Sequence, residues 1–154
     1  QLNHERVALV SAQPIFSALD GVREWAQNTK DAHGRRLIDS EWVQLNLARV
    51  HAKAEVLKLI NWELASATDA APSPADASAA KVYGTELATE AYRLLMEITN
   101  ARAGLGSDSA GAVLQGRIES AYKNGLIITF GGGANEVQRD IIAMAGMGLP
   151  HYKT

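Results

Sequence analysis

The sequence predicts an all-α protein, an antiparallel four-helix bundle with a short additional C-terminal helix. Apolar residues recur at helical spacing through most of the chain, which indicates helices that each bury one face. A length of 154 residues fits one domain that buries a core without disulfide staples. The only long stretch without such a pattern is the first connection, so the helices are expected to pack as neighbours in one bundle.

The first predicted helix runs from Leu2 to about Gln27, and Pro14 is the one interruption in its apolar pattern. Because proline lacks a backbone N–H and clashes with the preceding turn, we expect a kink there. The stretch from Asn28 to Asp39 is polar and contains Gly34, which predicts a connecting loop.

The second predicted helix starts after Ser40 and reaches about Ala67, with Glu41 favourably placed in its first turn. It carries two apolar stripes, one of Val43, Leu47, Val50, Ala54, Leu57 and Leu64, the other of Trp42, Leu45, Ala52, Val56, Leu59 and Ile60. Two stripes indicate burial on two sides, as in the interior helix of a bundle or at an oligomer interface. We interpret Trp25, Trp42 and Trp62 as core or interface residues in preference to a stacking platform for bases.

The second half of the chain predicts three more helices. The third runs from about Pro74 to Ala101, and residues 104–107 break it. The fourth, capped by Asp108 or Ser109, is expected to end near Lys123. An apolar run, residues 126–130, is interpreted as a strand or loop, and the last helix spans residues 134–145.

Composition excludes several classes of function. A net charge of −2 disfavours nucleic acid as a partner. The chain has no cysteine, and its four histidines stand in no metal-binding spacing, so we expect no metal site. No apolar run reaches the roughly 18 residues of a membrane span, and a cytoplasmic location is expected.

Two stretches are candidates for function. Gly131, Gly132 and Gly133 leave a bare backbone before the last helix, which is typical of a flexible turn or of a close approach to a ligand. Near the other end, Glu5 stands beside Arg6 in an apolar segment. An acid at a helix start ordinarily stabilises the helix dipole, and a catalytic carboxylate is the alternative.

Residues 132–142, which read Gly-Gly-Ala-Asn-Glu-Val-Gln-Arg-Asp-Ile-Ile, resemble a late motif of the acyl-CoA dehydrogenase family, Gly-Gly-Thr-Asn-Glu-Ile-Gln-Arg. The closing residues 148–150, Gly-Leu-Pro, resemble that family as well. Residues 78–81, Ser-Ala-Ala-Lys, are similar to a second family signature, and Glu5-Arg6 to a third, in the family's order. The resemblance implies the C-terminal helical domain of a flavoprotein that oxidises acyl-CoA thioesters with FAD.

In many family members the catalytic base directly precedes the Gly-Thr of the late motif, a position that Gly132 holds here. A minority place it in a Leu-x-x-Glu-Arg segment of the first helix, which Glu5 matches. The resemblance therefore implies Glu5 as the base that removes the α-proton and Arg6 as its neighbour at the substrate. It implies that the FAD lies against Gly132, Gly133, Ala134, Asn135 and Glu136.

The sequence departs from the family at three places. Residues 30–34 read Lys-Asp-Ala-His-Gly where members carry an Arg and a Phe that reach the flavin nucleotide of a neighbouring subunit. Residues 98–104 replace a Gln-x-x-Gly-Gly run, and Ala134 replaces a threonine. These departures fit a divergent bacterial member, such as one subunit of a heterotetramer in sterol or lipid breakdown. The alternative is a catalytically degenerate subunit that acts as a scaffold.

Other expectations follow from the same resemblance. The partners implied are an acyl-CoA substrate, an electron-transfer flavoprotein, and further subunits of a homo- or hetero-oligomer. Because the chain starts within a helical pattern and without methionine, we expect it to be a fragment that lacks N-terminal helical and middle β domains. Such a fragment is expected to be inactive by itself.

Overall fold

The structure is a computed structural model that describes residues 10–66 and 72–150, and in these residues it contains five α-helices and no strand. The helices are α1 (Gln13–Asn28), α2 (Glu41–Ser66), α3 (Pro74–Thr99), α4 (Arg117–Ile128) and α5 (Asn135–Ile141). Short 3-10 turns lie at Leu37–Asp39, Asn100–Arg102 and Val113–Gly116, and a π-helical turn, Ile142–Gly146, continues α5. The predicted all-α fold is confirmed. No helix in the described ranges is long and apolar enough to cross a membrane.

The interior helix of the bundle is α3, which contacts each of the other four helices. Fifteen of its 26 residues are buried, so it has core on most of its circumference. Small residues permit this packing: a Cβ built on Gly84 would lie 2.6 Å from the side chain of Val10. The main core consists of residues from α1, α2, α3 and α4, among them Ile15, Leu19, Val22, Val43, Val50, Leu57, Leu87, Leu95, Ile98 and Ile118.

Helix α2 is not the interior helix, because only one of its two apolar stripes is buried. The buried residues are Val43, Leu47, Val50, Ala54 and Leu57. On the second stripe Trp42, Leu45, Val56 and Leu59 are exposed. Of the tryptophans, Trp25 packs against the core, whereas Trp42 and Trp62 are exposed in the single chain. The interpretation of α2 as interior to its own bundle is therefore wrong, and the interface alternative stays a prediction.

Helix α1 begins at Gln13, and Pro14 lies in its first turn. The predicted kink at Pro14 is therefore wrong for the described residues, because Ala12 is the N-cap of the helix and Val10 and Ser11 precede it outside any helix. Proline is favoured in a first helical turn, where its missing N–H would have no intrahelical partner. The remainder of the predicted first helix, residues 2–9, lies outside the described residues.

The fourth helix begins later than predicted, at Arg117 instead of Asp108 or Ser109. Leu114, Gln115 and Gly116 have positive φ values of 49°, 58° and 71°, which a right-handed helix cannot include. The helix also continues to Ile128, so the predicted strand or loop is wrong for residues 126–128, whereas residues 129 and 130 lie in a turn. A five-residue apolar run has no periodicity of its own that separates the end of a helix from a strand.

Helix α3 begins with a capping interaction that can be tested. The Oγ atom of Ser73 accepts a hydrogen bond from the backbone N–H of Asp76 at 3.1 Å, and Pro74 is the first helical residue. We expect Ser73→Ala to lower the free energy of unfolding by about 1 kcal/mol, because one N–H of the first turn loses its partner.

Urea denaturation of the chain measures this effect. Ser66→Ala is the matched control, because the Oγ of Ser66 donates to the carbonyl of Glu63 at the exposed end of α2 and caps no free N–H. An equal loss of stability in both variants would contradict the capping role of Ser73.

Candidate functional site

The glycine turn, residues 130–134, joins α4 to α5. Gly132 and Gly133 have φ values of 69° and 103°, a region that side chains with a Cβ rarely adopt. The N–H of Gly133 donates to the carbonyl of Phe130 at 3.0 Å. A Cβ on Gly133 would lie 2.5 Å from the Nε2 of Gln138. The turn therefore requires glycine for its backbone conformation and also for the space that Gln138 occupies.

A fully buried lysine holds this turn from inside the bundle. The Nζ of Lys81 donates to the carbonyl of Thr129 at 2.8 Å, the carbonyl of Gly133 at 2.8 Å and the Oδ1 of Asn135 at 2.6 Å. The three acceptors belong to the end of α4, the turn and the start of α5. A charged group in the interior needs hydrogen-bond partners that replace its contacts with water. Because its three acceptors lie along the connection from α4 to α5, Lys81 fixes the path of that connection.

A second buried contact lies one helical turn earlier on α3. The Oγ of Ser78 donates to the Oε1 of Gln138 at 2.9 Å, and the Nε2 of Gln138 donates to the carbonyl of Gly132 at 3.3 Å. Ser78 and Lys81 begin and end one predicted signature, and Gln138 and Asn135 belong to the other. The two motifs are thus two sides of a single hydrogen-bond network.

The network continues to the surface through Asn135. Its Nδ2 donates to the Oγ1 of Thr85 at 3.1 Å and to the Oε1 of Glu86 at 3.3 Å. Arg139 then donates from Nη2 to the same Glu86 oxygen at 2.6 Å. The side chain of Asn135 is 5% exposed, so among the five predicted cofactor-binding residues it is the one whose side chain faces the interior.

A groove of about 470 Å³ lies beside the glycine turn. It is lined by Glu86, Thr89, Glu90, Arg93, Leu126, Thr129, Phe130, Asn135 and Glu136. Leu126 and Phe130 form an apolar wall and are 45% and 75% exposed. Glu86 and Glu90 are neutralised by ion pairs with Arg139 and Lys53. A bare turn and an apolar wall beside paired carboxylates fit a flat, apolar ring system.

The two residues predicted for the chemistry, Glu5 and Arg6, lie outside the described residues. The described residue nearest to them in sequence, Val10, packs tightly against Gly84 at the interior helix. Where Glu5 lies relative to Gly132 therefore stays a prediction. Within residues 10–66 and 72–150 no three His, Asp or Glu side chains form a group able to hold a metal ion.

The connection between α1 and α2, residues 29–40, differs in sequence from the family pattern. Its charged residues form ion pairs with one another within the connection. One carboxylate oxygen of Asp31 accepts the backbone N–H groups of Arg35 and His33 at 2.9 and 2.8 Å. These hydrogen bonds, the one from Arg35 above all, hold the pKa of Asp31 below its ordinary value. Arg36 lowers the pKa of Asp39 in the same way, through a side-chain hydrogen bond.

Sequence reasoning missed the roles of Lys81, Thr85 and Gln138. A signal was present, since Ser78, Lys81 and Thr85 recur at spacings of three and four residues among the small and apolar residues in the first half of α3. Such spacing forms a polar stripe on one face. A buried polar stripe must find partners on a facing element, and the polar start of α5 supplies them.

The chain matches the family described as acyl-CoA dehydrogenase, C-terminal domain, over residues 1–147. It is 73% identical to the acyl-CoA dehydrogenase FadE26 of Mycobacterium tuberculosis, across 97% of this chain and 38% of that protein. It is 39% identical to the acyl-CoA dehydrogenase FadE29 of the same organism, again over 38% of that protein's length. The chain thus spans about two fifths of these relatives.

Comparison with solved structures also indicates similarity to acyl-CoA dehydrogenases. The chain is similar to the ChsE4-ChsE5 complex from Mycobacterium tuberculosis, with a TM-score of 0.91 and 72% identity over 99% of this chain and 39% of that one. It is also similar to the Tcur3481-Tcur3483 steroid ACAD, with a TM-score of 0.86 and 38% identity over 99% of this chain and 38% of that one. With its helical order, its glycine turn and its family match in agreement, this chain belongs to the acyl-CoA dehydrogenase family, of which it matches the C-terminal domain.

Proposed function

We propose that this chain is the C-terminal domain of a flavin-dependent dehydrogenase that introduces an α,β double bond into an acyl-CoA thioester. The observation that carries the proposal is the chain's 73% identity to an acyl-CoA dehydrogenase. The turn at Gly132 and Gly133, open to solvent and held from inside by Lys81, supports it. The relatives' greater length supports further domains in the complete protein, for which we propose an N-terminal helical and a middle β domain.

Gly132, Gly133, Ala134 and Glu136 would hold FAD, through backbone and side-chain groups at the surface of the turn. Asn135 would act through its bonds to Lys81 and Thr85, which shape that surface. When bound, FAD would supply the acceptor for the hydride that leaves the β-carbon of the substrate. The redox equivalents then pass to an electron-transfer flavoprotein in the cell, which we propose as the physiological acceptor.

The role we propose for Glu5 is that of general base. Its carboxylate would accept the α-proton of the thioester, and Arg6 would be a neighbouring cation that keeps this carboxylate ionised. Glycine at position 132 supports this assignment, because the family's other location for the base lacks a titratable group here. The bundle must then bring Glu5 close to the glycine turn.

Glu5→Gln in the full-length protein tests this role. We expect turnover of acyl-CoA to fall by roughly 10²–10⁴-fold, because a positioned base contributes that much to proton abstraction. FAD content, measured by absorbance, should not change. Glu24→Gln is the control, since Glu24 is exposed on α1.

Exchange of the α-proton into deuterated water, followed by mass spectrometry, isolates the proton transfer from the redox step. Exchange should be lost in Glu5→Gln and kept in Glu24→Gln. Normal exchange and turnover in Glu5→Gln would show that another residue is the base.

For the substrate we propose a steroid side-chain thioester over a simple fatty acyl thioester. The observation that favours it is the similarity to a structure titled a steroid ACAD, at 38% identity. The kcat/KM values for a steroid side-chain CoA ester and for a straight-chain ester of equal side-chain length decide between the two. A higher value for the straight-chain ester would contradict the proposal.

A scaffold role in a heteromeric assembly is the second candidate. The similarity to the ChsE4-ChsE5 complex favours it. In that case the full-length protein would purify without flavin unless it is co-expressed with a second dehydrogenase subunit, and Glu5→Gln would not change the activity of the complex.

A further inference from the structure

Helices α1 and α4 line a cavity of about 270 Å³, here called the α1/α4 cavity, to which α3 contributes Tyr92. The cavity is lined by Pro14, Ser17, Ala18, Gly21, Tyr92, Leu114, Arg117, Ile118 and Ala121. A neighbouring cavity of about 370 Å³ shares Pro14, Tyr92 and Ala121. No residue of the α1/α4 cavity lines the groove beside the glycine turn. The α1/α4 cavity is therefore a second candidate site in the part of the chain that the structure describes.

Small residues leave this space open. Ala18 and Gly21 on α1 and Ala121 on α4 contribute little side-chain volume to the lining. Leu114 packs against Gly21 so closely that a Cβ built on the glycine would lie 2.8 Å from the Cδ1 of Leu114. Leu114 has a φ of 49°, which residues with a Cβ rarely adopt. The walls of the cavity are thus mainly apolar, and they fit a ligand with an apolar body.

Tyr92 brings a buried hydroxyl to the cavity. The residue is only 6% exposed, and within residues 10–66 and 72–150 its phenol oxygen has no hydrogen-bond partner. By contrast, the hydroxyl of Tyr83 donates to the carbonyl of Lys53 at 3.1 Å. Burial raises the pKa of Tyr92, so its O–H stays a donor at neutral pH. A buried tyrosine hydroxyl ordinarily finds a partner, and an oxygen of a bound ligand would provide one.

Arg117 adds a positive charge to the lining of the cavity and is exposed to solvent. Its Nε donates to the carbonyl of Leu114 at 3.2 Å. Among the described residues no carboxylate forms an ion pair with its guanidinium. A guanidinium carries planar donors that match the two oxygens of a carboxylate. Apolar walls together with an unpaired cation fit a ligand that is apolar along its body and anionic at one end.

We propose that the α1/α4 cavity binds a small carboxylic acid, whose apolar body lies between α1 and α4 and whose carboxylate accepts hydrogen bonds from Arg117 and Tyr92. The volume of about 270 Å³ is just below the roughly 300–1,000 Å³ of typical ligand pockets, so the acid must be small. This inference goes beyond the proposed catalytic function and does not depend on it, because no residue of the glycine turn takes part. Decanoate, which joins a flexible apolar chain to a carboxylate, is a suitable probe.

Photo-crosslinking of the full-length protein tests where the acid binds. The probe is decanoate that carries a diazirine at the end of the chain opposite the carboxylate, and mass spectrometry locates the labelled peptides. We expect label on peptides that contain Ala18, Gly21 or Ile118, and we expect excess decanoate to prevent it. Labelling confined to other peptides, or labelling that excess decanoate does not reduce, would overturn the proposal.

The yield of label on these peptides, measured against probe concentration, gives the Kd of this cavity alone. Arg117→Gln should raise the Kd at least tenfold, because a charge-assisted bond to the carboxylate is lost. Tyr92→Phe should raise it about fivefold, because one neutral donor is lost. The matched controls are Arg102→Gln, at an exposed arginine outside the cavity, and Tyr83→Phe. Equal effects of the cavity and control variants would contradict the assigned contacts.

Competition with decanol separates the carboxylate from the apolar chain. Decanol should displace the probe at least tenfold less well than decanoate, because it offers no anion to Arg117. In Arg117→Gln this difference between decanol and decanoate should disappear. Equal competition by the two compounds in the unchanged protein would show that the cavity does not select an acid.

Filling the cavity provides the last test. Ala18→Leu should abolish labelling, because the larger side chain occupies the space of the ligand, whereas Ala65→Leu at the exposed end of α2 should leave it unchanged. Circular dichroism and FAD absorbance confirm that each variant is folded. Undiminished labelling in folded Ala18→Leu would overturn the proposal, and if that variant does not fold, the exposed substitution Arg117→Gln decides.

Discussion

Lys81→Met is expected to lower the free energy of unfolding by about 3–5 kcal/mol. Methionine keeps most of the side-chain length but cannot donate to Thr129, Gly133 and Asn135, which all accept from the ammonium group. Lys81 and Asn135 are buried, so the Asn135 oxygen that loses its donor is shielded from bulk water. The buried acceptor on Asn135 costs about 1–3 kcal/mol when it loses its donor, and the two bonds to the carbonyls of Thr129 and Gly133 add the remainder.

Urea denaturation of the chain, followed by circular dichroism, measures the change. Lys123→Met is the control, because Lys123 is 69% exposed on the surface of α4 where it pairs with Glu119. Exposed ion pairs contribute up to about 1 kcal/mol, so the control should change little. A similar small change in both variants would contradict the role of Lys81 as the anchor of the glycine turn.

Under the proposed function, Lys81 also stabilises the FAD site, because it anchors the glycine turn. In the full-length protein Lys81→Met should weaken FAD binding, because the turn would lose the bond that fixes the Gly133 carbonyl. Retention of FAD after dialysis against flavin-free buffer measures this effect. Lys123→Met should retain the cofactor as the unchanged protein does.

Gly116→Ala is expected to have the second large effect, a loss of about 3 kcal/mol or more in the free energy of unfolding. The residue has a φ of 71°, and a Cβ there would lie 2.6 Å from the backbone N of Ser107 and 2.8 Å from the carbonyl carbon of Gly106. Backbone atoms cannot rotate away as a flexible side chain would. The loop at residues 104–112 would have to move away from the start of α4.

Gly111→Ala separates conformational strain from this steric contact. Gly111 also has a positive φ, 92°, but no atom lies within 4 Å of a Cβ built on it. Its substitution should cost only the strain of the left-handed backbone, about 1 kcal/mol. Denaturation of the two variants side by side gives the difference, and equal losses would show that the close approach to Ser107 does not contribute.

The sequence predicted the helices best where a long apolar pattern coincided with a clear boundary residue. Helix α2 begins at Glu41, directly after Ser40, and α3 begins at Pro74, each as predicted. Between residues 104 and 116 the chain has glycines and serines but no long apolar period, and there the predicted start of the fourth helix was wrong. Local patterns carry information only where the period persists for several turns.

Burial was harder to predict than helix formation. Apolar stripes on α2 resembled those of an interior helix, yet α3 holds that place because its Ala77, Ala80, Gly84 and Ala88 let neighbouring helices approach closely. Which helix is surrounded depends on the shapes of all of them together. A pattern within one segment shows that a face is apolar and cannot show what covers it.

By itself, the sequence determined the all-α class, most helix boundaries and, through its motifs, the family to which the chain belongs. Only the tertiary structure decided that the two motifs form one network, since the bonds from Lys81 and Ser78 to the glycine turn and α5 join residues 48 to 60 positions apart. It also decided that the second apolar stripe of α2 is exposed in the single chain. Both depend on contacts between distant segments, and local periodicity contains no information about such contacts.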